Sequence, residues 1–79
     1  MNIYKLTQDE NGGYDTYDSM VVIAESEADA KSMHPSKAKD WDSPWSGWAS
    51  SPNYVTCELI GTATEGSIAG IVVASFNAG

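Results

Sequence analysis

One thiol and one imidazole, Cys57 and His34, are the groups in this 79-residue chain best suited to covalent chemistry. A cysteine nucleophile needs a base within hydrogen-bond reach and a third group to orient that base. Cys57 falls inside an alternating segment, on the side that carries Val55 and Leu59, where a thiol is an inert packing residue. No third residue is marked to hold His34. Metal chemistry fares no better. Asp9-x-Asn11-x-Gly13 begins like a calcium loop, but Gly13 stands where a third oxygen ligand belongs, and Tyr14 takes the sixth position, which needs glycine. Asn11-Gly12 is instead a hairpin signal, because both residues tolerate positive φ. His34 with Asp40 and Asp42 offers one imidazole and two loop carboxylates. It fits better as a cap at a helix C-terminus, beside the negative end of the dipole. There is no Gly-rich phosphate loop, nucleophile elbow or paired-carboxylate motif. The expectation is a protein that is not an enzyme and that uses neither metal nor cofactor.

What remains is aromatic. Trp41, Trp45 and Trp48, the three tryptophans of the chain, lie within eight residues, among Asp40, Asp42, Pro44, Gly47, Pro52 and several serines. That setting is too broken for a helix and too rich in proline for an inner strand, so residues 38–52 form a long loop. Indole faces can stack a nucleobase, and Lys37 or Lys39 can meet a phosphate. Tyr17, Phe76 and His34 complete the candidate ligand-binding set. A structural use competes with this one. A small domain needs large apolar side chains, and two of the three indoles would serve it as core.

The elements that must position these residues follow from local patterns. Residues 2–8 alternate, with Ile3 and Lys5 on one side and Tyr4 and Leu6 on the other, as a strand does. The Asn11-Gly12 turn leads into a second strand over 14–24. Ser26 is a helix N-cap, Glu27 and Asp29 place negative charge on the first turn, and Pro35 stops the helix, which spans 26–33 with Ala30 and Met33 inward. Residues 54–64 form a third strand, with Gly61 marking a bulge or the strand's end. Glu65-Gly66-Ser67 turns the chain into a fourth strand over 68–76. The second and fourth strands are nearly uniformly apolar, which places both inside the sheet. The predicted fold is α+β: one domain over 1–79, ordered ββαββ, with a mostly antiparallel four-stranded sheet, one short helix and the Trp-rich loop. One helix cannot cover such a sheet, so the other face or an edge strand is expected to meet a second copy, as a homodimer or higher homo-oligomer.

Eleven carboxylates face four lysines and no arginine, a net charge of −7. Three of the lysines, Lys31, Lys37 and Lys39, stand beside the tryptophans as one cationic spot. With a single cysteine no internal disulfide can form. The first residues lack an apolar signal core, and the apolar run 71–74 is far short of the roughly 20 residues that a membrane helix needs. A cytoplasmic protein without a membrane partner is expected.

Two fragments, VIAESEADAKSMHP over 22–35 and ASFNAG over 74–79, resemble small proteins encoded by bacteriophages and prophages. The first is a strand, cap, helix and His-Pro stop; the second is a strand end. The resemblance implies a phage accessory protein acting in the cytosol of a host bacterium, and it implies no particular activity. Joined to the aromatic set, it suggests a non-enzymatic protein that sequesters a small nucleotide-like ligand and so blunts a bacterial defence signal. The alternative is an acidic interaction module that inhibits a host protein, with Trp as its hot-spot residue.

Charge generates the first prediction. Duplex DNA and long RNA are bound by clusters of Lys and Arg that release counterions, and this chain repels polyanions. A mobility-shift titration at physiological salt is expected to show no complex with either; a salt-sensitive shift would refute this.

Overall fold

The computed structural model describes residues 1–10, 12, 15–36, 41 and 47–77. Four strands, β1 (Asn2–Thr7), β2 (Thr16–Ala24), β3 (Thr56–Thr62) and β4 (Gly70–Asn77), make one sheet in the order β3-β1-β2-β4, every neighbouring pair antiparallel. Among the described residues one α-helix, α1 (Glu27–Lys31), and one 3-10 turn, Pro52–Tyr54, lie between β2 and β3. The α+β fold expected from the sequence is the fold observed. Among the described residues no helix is long and apolar enough to cross a membrane.

The alternation in β1 turns into two different faces. Tyr4 and Leu6 are buried while Lys5 is exposed, and the antiparallel register sets Leu6 beside Met20 and Tyr4 beside Val22. Those four join Ala24, Ala30, Trp48, Ala49 and Val55 in a single core. The opposite face bears Ile3, Val21 and Ile23, each only partly buried.

Ser26 caps α1 as expected: its hydroxyl accepts the Asp29 N–H at 3.2 Å, and Glu27 and Asp29 sit in the first turn. Five residues cannot hold a helix by themselves. Ala30, fully buried, and Met33, packed on the core, fasten this one to the sheet.

Several expectations are corrected. β4 is not inside the sheet; it is an edge, and the alternating β1 takes the inner place beside β2. An apolar run signals burial on both faces only where neighbours flank both sides, and β4 has one neighbour. β1 and β2 pair antiparallel as expected, but the link between them runs over 8–15 rather than 9–13, and Asn11 lies outside the described part. Asp15 takes a left-handed φ of 61° at its end, a conformation that Asp tolerates better than most. β3 starts at Thr56 rather than 54 because Ser51 accepts the Asn53 N–H and caps the 3-10 turn ahead of it. Near Gly61 the bulge that the sequence allowed is present, since Ile3 pairs with Gly61 but Tyr4 with Leu59, which leaves Ile60 as the extra residue. The turn at Thr64–Ser67 forms, with the Ser67 N–H on the Thr64 carbonyl at 3.0 Å, yet it joins no hairpin. It carries the chain from one edge of the sheet past the ends of β1 and β2 to the other edge.

Burial ranks the strand residues by cost of truncation. Leu6→Ala, at a fully buried position, is expected to lose about 2–5 kcal/mol. Leu59→Ala, on the exposed edge, should lose less than about 0.5 kcal/mol. Urea unfolding followed by circular dichroism separates the two.

Candidate functional site

Two ordered junctions bracket the tryptophan loop. At the first, the chain leaves α1 and reaches His34, whose ring is 5% exposed. Its Nδ1 accepts the Ser36 backbone N–H at 3.1 Å and lies 2.9 Å from the Ser36 hydroxyl. A backbone N–H can only donate, so Nδ1 is the acceptor and the proton of the neutral ring sits on Nε2. That Nε2 is buried without a hydrogen-bond partner among the described residues. The Trp41 ring stands edge-to-face with the imidazole, centroids 5.1 Å apart at 81°. Trp41 is partly buried and packs on the core. His34 therefore does not cap the helix. The helix ends three residues earlier, and Ser32 takes that place, its N–H on Ala28 O and its hydroxyl on Asp29 O at 2.6 Å.

At the second junction the loop docks on β2. Gly47 accepts the Tyr17 N–H at 2.7 Å and has a φ of 68°. A Cβ there would sit a tight 3.1 Å from the Asp15 carbonyl oxygen and take a left-handed backbone, so glycine is favoured on both counts. Tyr17 in turn meets Phe76, its register partner on β4, with ring centroids 4.7 Å apart. Phe76 keeps roughly half of its surface open, at 47% exposure. Gln8 joins the same corner through Nε2, which donates to the Tyr17 carbonyl at 2.8 Å. One residue past Gly47, Trp48 is fully buried. Its indole belongs to the core, so the expectation that it could offer a stacking face to a ligand is corrected: no ligand reaches it without opening the fold. A core of this size draws in the largest apolar group within reach of the sheet, worth roughly 4–6 kcal/mol of transfer free energy if some 150–250 Å² is buried.

Of the eight candidate residues, then, His34 and Trp41 come together at one end of the loop. Tyr17 and Phe76 come together at the other, and Trp48 goes to the core between. Trp45, Lys37 and Lys39 lie outside the described residues.

The Cys57–His34 pairing is not formed. The ionisable groups that bear on the Cys57 thiol are Glu27 and Lys31 of α1. Burial and then Glu27 push its pKa up, against the pull of Lys31, so the thiol stays protonated and weakly nucleophilic. Glu27 and Lys31 also line a groove of about 360 Å³ between α1 and the 3-10 turn, with Ala28, Pro52 and Asn53.

A contact that no local pattern announces secures the far side of the loop. Both carboxylate oxygens of Glu10 accept from Ser50, from its N–H at 3.0 Å and its hydroxyl at 2.7 Å. These bonds hold the Glu10 carboxyl below its usual range. The two residues are forty apart in the chain, so only the fold brings them together. Gly47, by contrast, left a trace in the sequence as a glycine among bulky neighbours.

Among known proteins, no family model, no curated protein and no solved structure matches the chain.

Burial holds the His34 pKa below its ordinary value of 6.5. The unfolded chain therefore takes up a proton more readily than the folded one, and stability falls as pH drops below about 6.5. Protonating Nδ1 would also break the bond from the Ser36 N–H. The melting temperature is expected to fall between pH 7.5 and pH 5.5, and His34→Gln should flatten that slope. Glu10 acts lower, as pH falls through the carboxylate range, so the two windows are separable in a pH series of thermal melts.

Proposed function

We propose that this chain is a non-enzymatic phage accessory protein that captures a small nucleotide-like ligand in the host cytosol. The ligand would bind at the corner where the tryptophan loop meets the β2–β4 end of the sheet. The carrying observation is the Tyr17–Phe76 ring pair beside the Gly47 backbone. Phe76 offers an open aromatic face there, and Trp45 is two residues along the chain from Gly47. A planar base held between aromatic faces needs no cofactor and no catalytic group. Lys37 and Lys39 are the residues of this chain suited to a phosphate, since it contains no arginine. Sequestering such a ligand would withdraw a signal from a bacterial defence response.

A second reading has its own observation. Glu25, Glu27 and Asp29 are exposed together at the start of α1, an acidic face that suits a basic surface on a host protein. On that reading the chain inhibits by occupancy.

Intrinsic tryptophan fluorescence separates the two. Signalling nucleotides are titrated into the wild type, Trp45→Ala and Phe76→Ala. Losing one stacking face costs roughly 1–3 kcal/mol, so each variant should bind about five- to hundred-fold more weakly while keeping its circular dichroism. A nucleotide panel that leaves the emission unchanged, with a basic protein partner shifting it, would replace sequestration with the interaction reading.

A further inference from the structure

From residue 66 to residue 79 the chain carries no charged side chain, although the whole carries −7. This stretch contains all of β4, an edge of the sheet, with no described element beyond it. Its apolar side chains face outward: Val72 is 60% exposed, Val73 58%, and Ile68, just ahead of the strand, 85%. Edge strands are ordinarily guarded by Lys, Pro or inward charge. β4 has none of these. Its register against β2 skips Val72, since Val21 pairs with Val73 and Val22 with Ile71. That bulge is an edge guard in many sheets, but here it presents a further apolar side chain.

Charge decides which partner fits. A basic protein would be drawn to the carboxylates, which lie outside β4: Asp9, Glu10 and Asp15 on the β1–β2 connection, Glu25, Glu27 and Asp29 around α1, Glu58 within β3 and Glu65 in the turn ahead of β4. Two copies of this chain repel each other at all of those places within a screening length of about 8 Å. They can meet without facing like charges along β4. The other edge, β3, has Glu58 at its middle, opposite Lys5 on β1, and so carries charge where β4 carries none. Asp18, the extra residue of β2 near the Phe76 end, and Glu65, ahead of the start of β4, leave the middle of the strand as the favourable zone.

We propose that β4 pairs antiparallel with β4 of a second copy of this chain, centred on Val72 and Val73, joining two sheets across a twofold axis. An isologous contact of this kind needs a strand that is complementary to itself, and an uncharged strand with small and apolar side chains is one.

Light scattering after gel filtration tests it. The wild type at micromolar concentration should show about twice the monomer mass of 8.4 kDa. Val72→Asp, which places two like charges at the joint, should halve that mass, and Leu59→Asp on the β3 edge should leave it unchanged. Hydrogen exchange on the wild type covers the case in which Val72→Asp fails to fold. The outward amides of β4 should gain protection as concentration rises, and those of β3 should not. A wild-type monomer overturns the proposal. So does a dimer whose mass follows Leu59→Asp, or one whose β4 amides exchange at the same rate at every concentration.

Discussion

β2 and β3 are both antiparallel to β1 and lie on its two sides, so they run in the same direction with a strand between them. A chain that leaves β2 at Ala24 must travel back along the length of the sheet before it can start β3 at Thr56. It can do so only over one face. Described residues on that route, Ala30, Met33, Trp41, Trp48 and Ala49, therefore end up packed with Tyr4, Leu6, Met20 and Val22. On the opposite face Ile3, Val21 and Ile23 are only partly buried. Among the described residues, this difference between the two faces is a consequence of strand order before any side chain is considered.

Given that route, the loop has to supply the cover that a five-residue helix cannot. Ala30 contributes one methyl group to the core; Trp48 contributes an indole. The indole is set by three tethers: the Tyr17 N–H on the Gly47 carbonyl, the Glu10 carboxylate on Ser50, and the capped 3-10 turn that leads into Val55. Each of the three comes from a different part of the chain. The loop is thus a structural layer first, and whatever surface it offers is built from the residues that layer leaves over.

That division explains what could be read from the sequence and what could not. The β1 alternation, the Ser26 cap and the turn at Glu65-Gly66-Ser67 are decided within a few residues, and each was legible; the helix end was not, since it comes at Lys31 with Ser32 as its cap rather than at residue 33 ahead of Pro35. The sheet order was not. The apolar run of β4 is compatible with an inner strand, and its edge position depends on which strands pair, a matter of long-range choice. The tryptophans make the same point more sharply. Trp41 and Trp48 share a residue type and a loop, yet one is partly buried against His34 and the other fully buried in the core. Their difference comes from Gly47 docking on Tyr17, thirty residues earlier in the chain. The Cys57–His34 pairing, set aside on the sequence, does not form: Glu27 and Lys31 are the charged groups that bear on the thiol, and His34 meets Trp41.

A loop that serves as cover cannot spend the same side chain on a ligand. With Trp48 committed to the core, recognition on the proposed reading falls to the residues at the loop's borders, where Phe76 keeps an open face and the chain of 42–46 arrives at Gly47. Those borders belong to β2 and β4, elements held by sheet pairing rather than by the loop itself. A binding surface built this way gains rigidity from the strands and chemistry from the loop. Beside the proposed corner the two meet where the Tyr17 N–H donates to the Gly47 carbonyl, at a glycine whose left-handed φ of 68° disfavours a side chain. The position on which the site depends most is therefore a residue with no chemistry of its own.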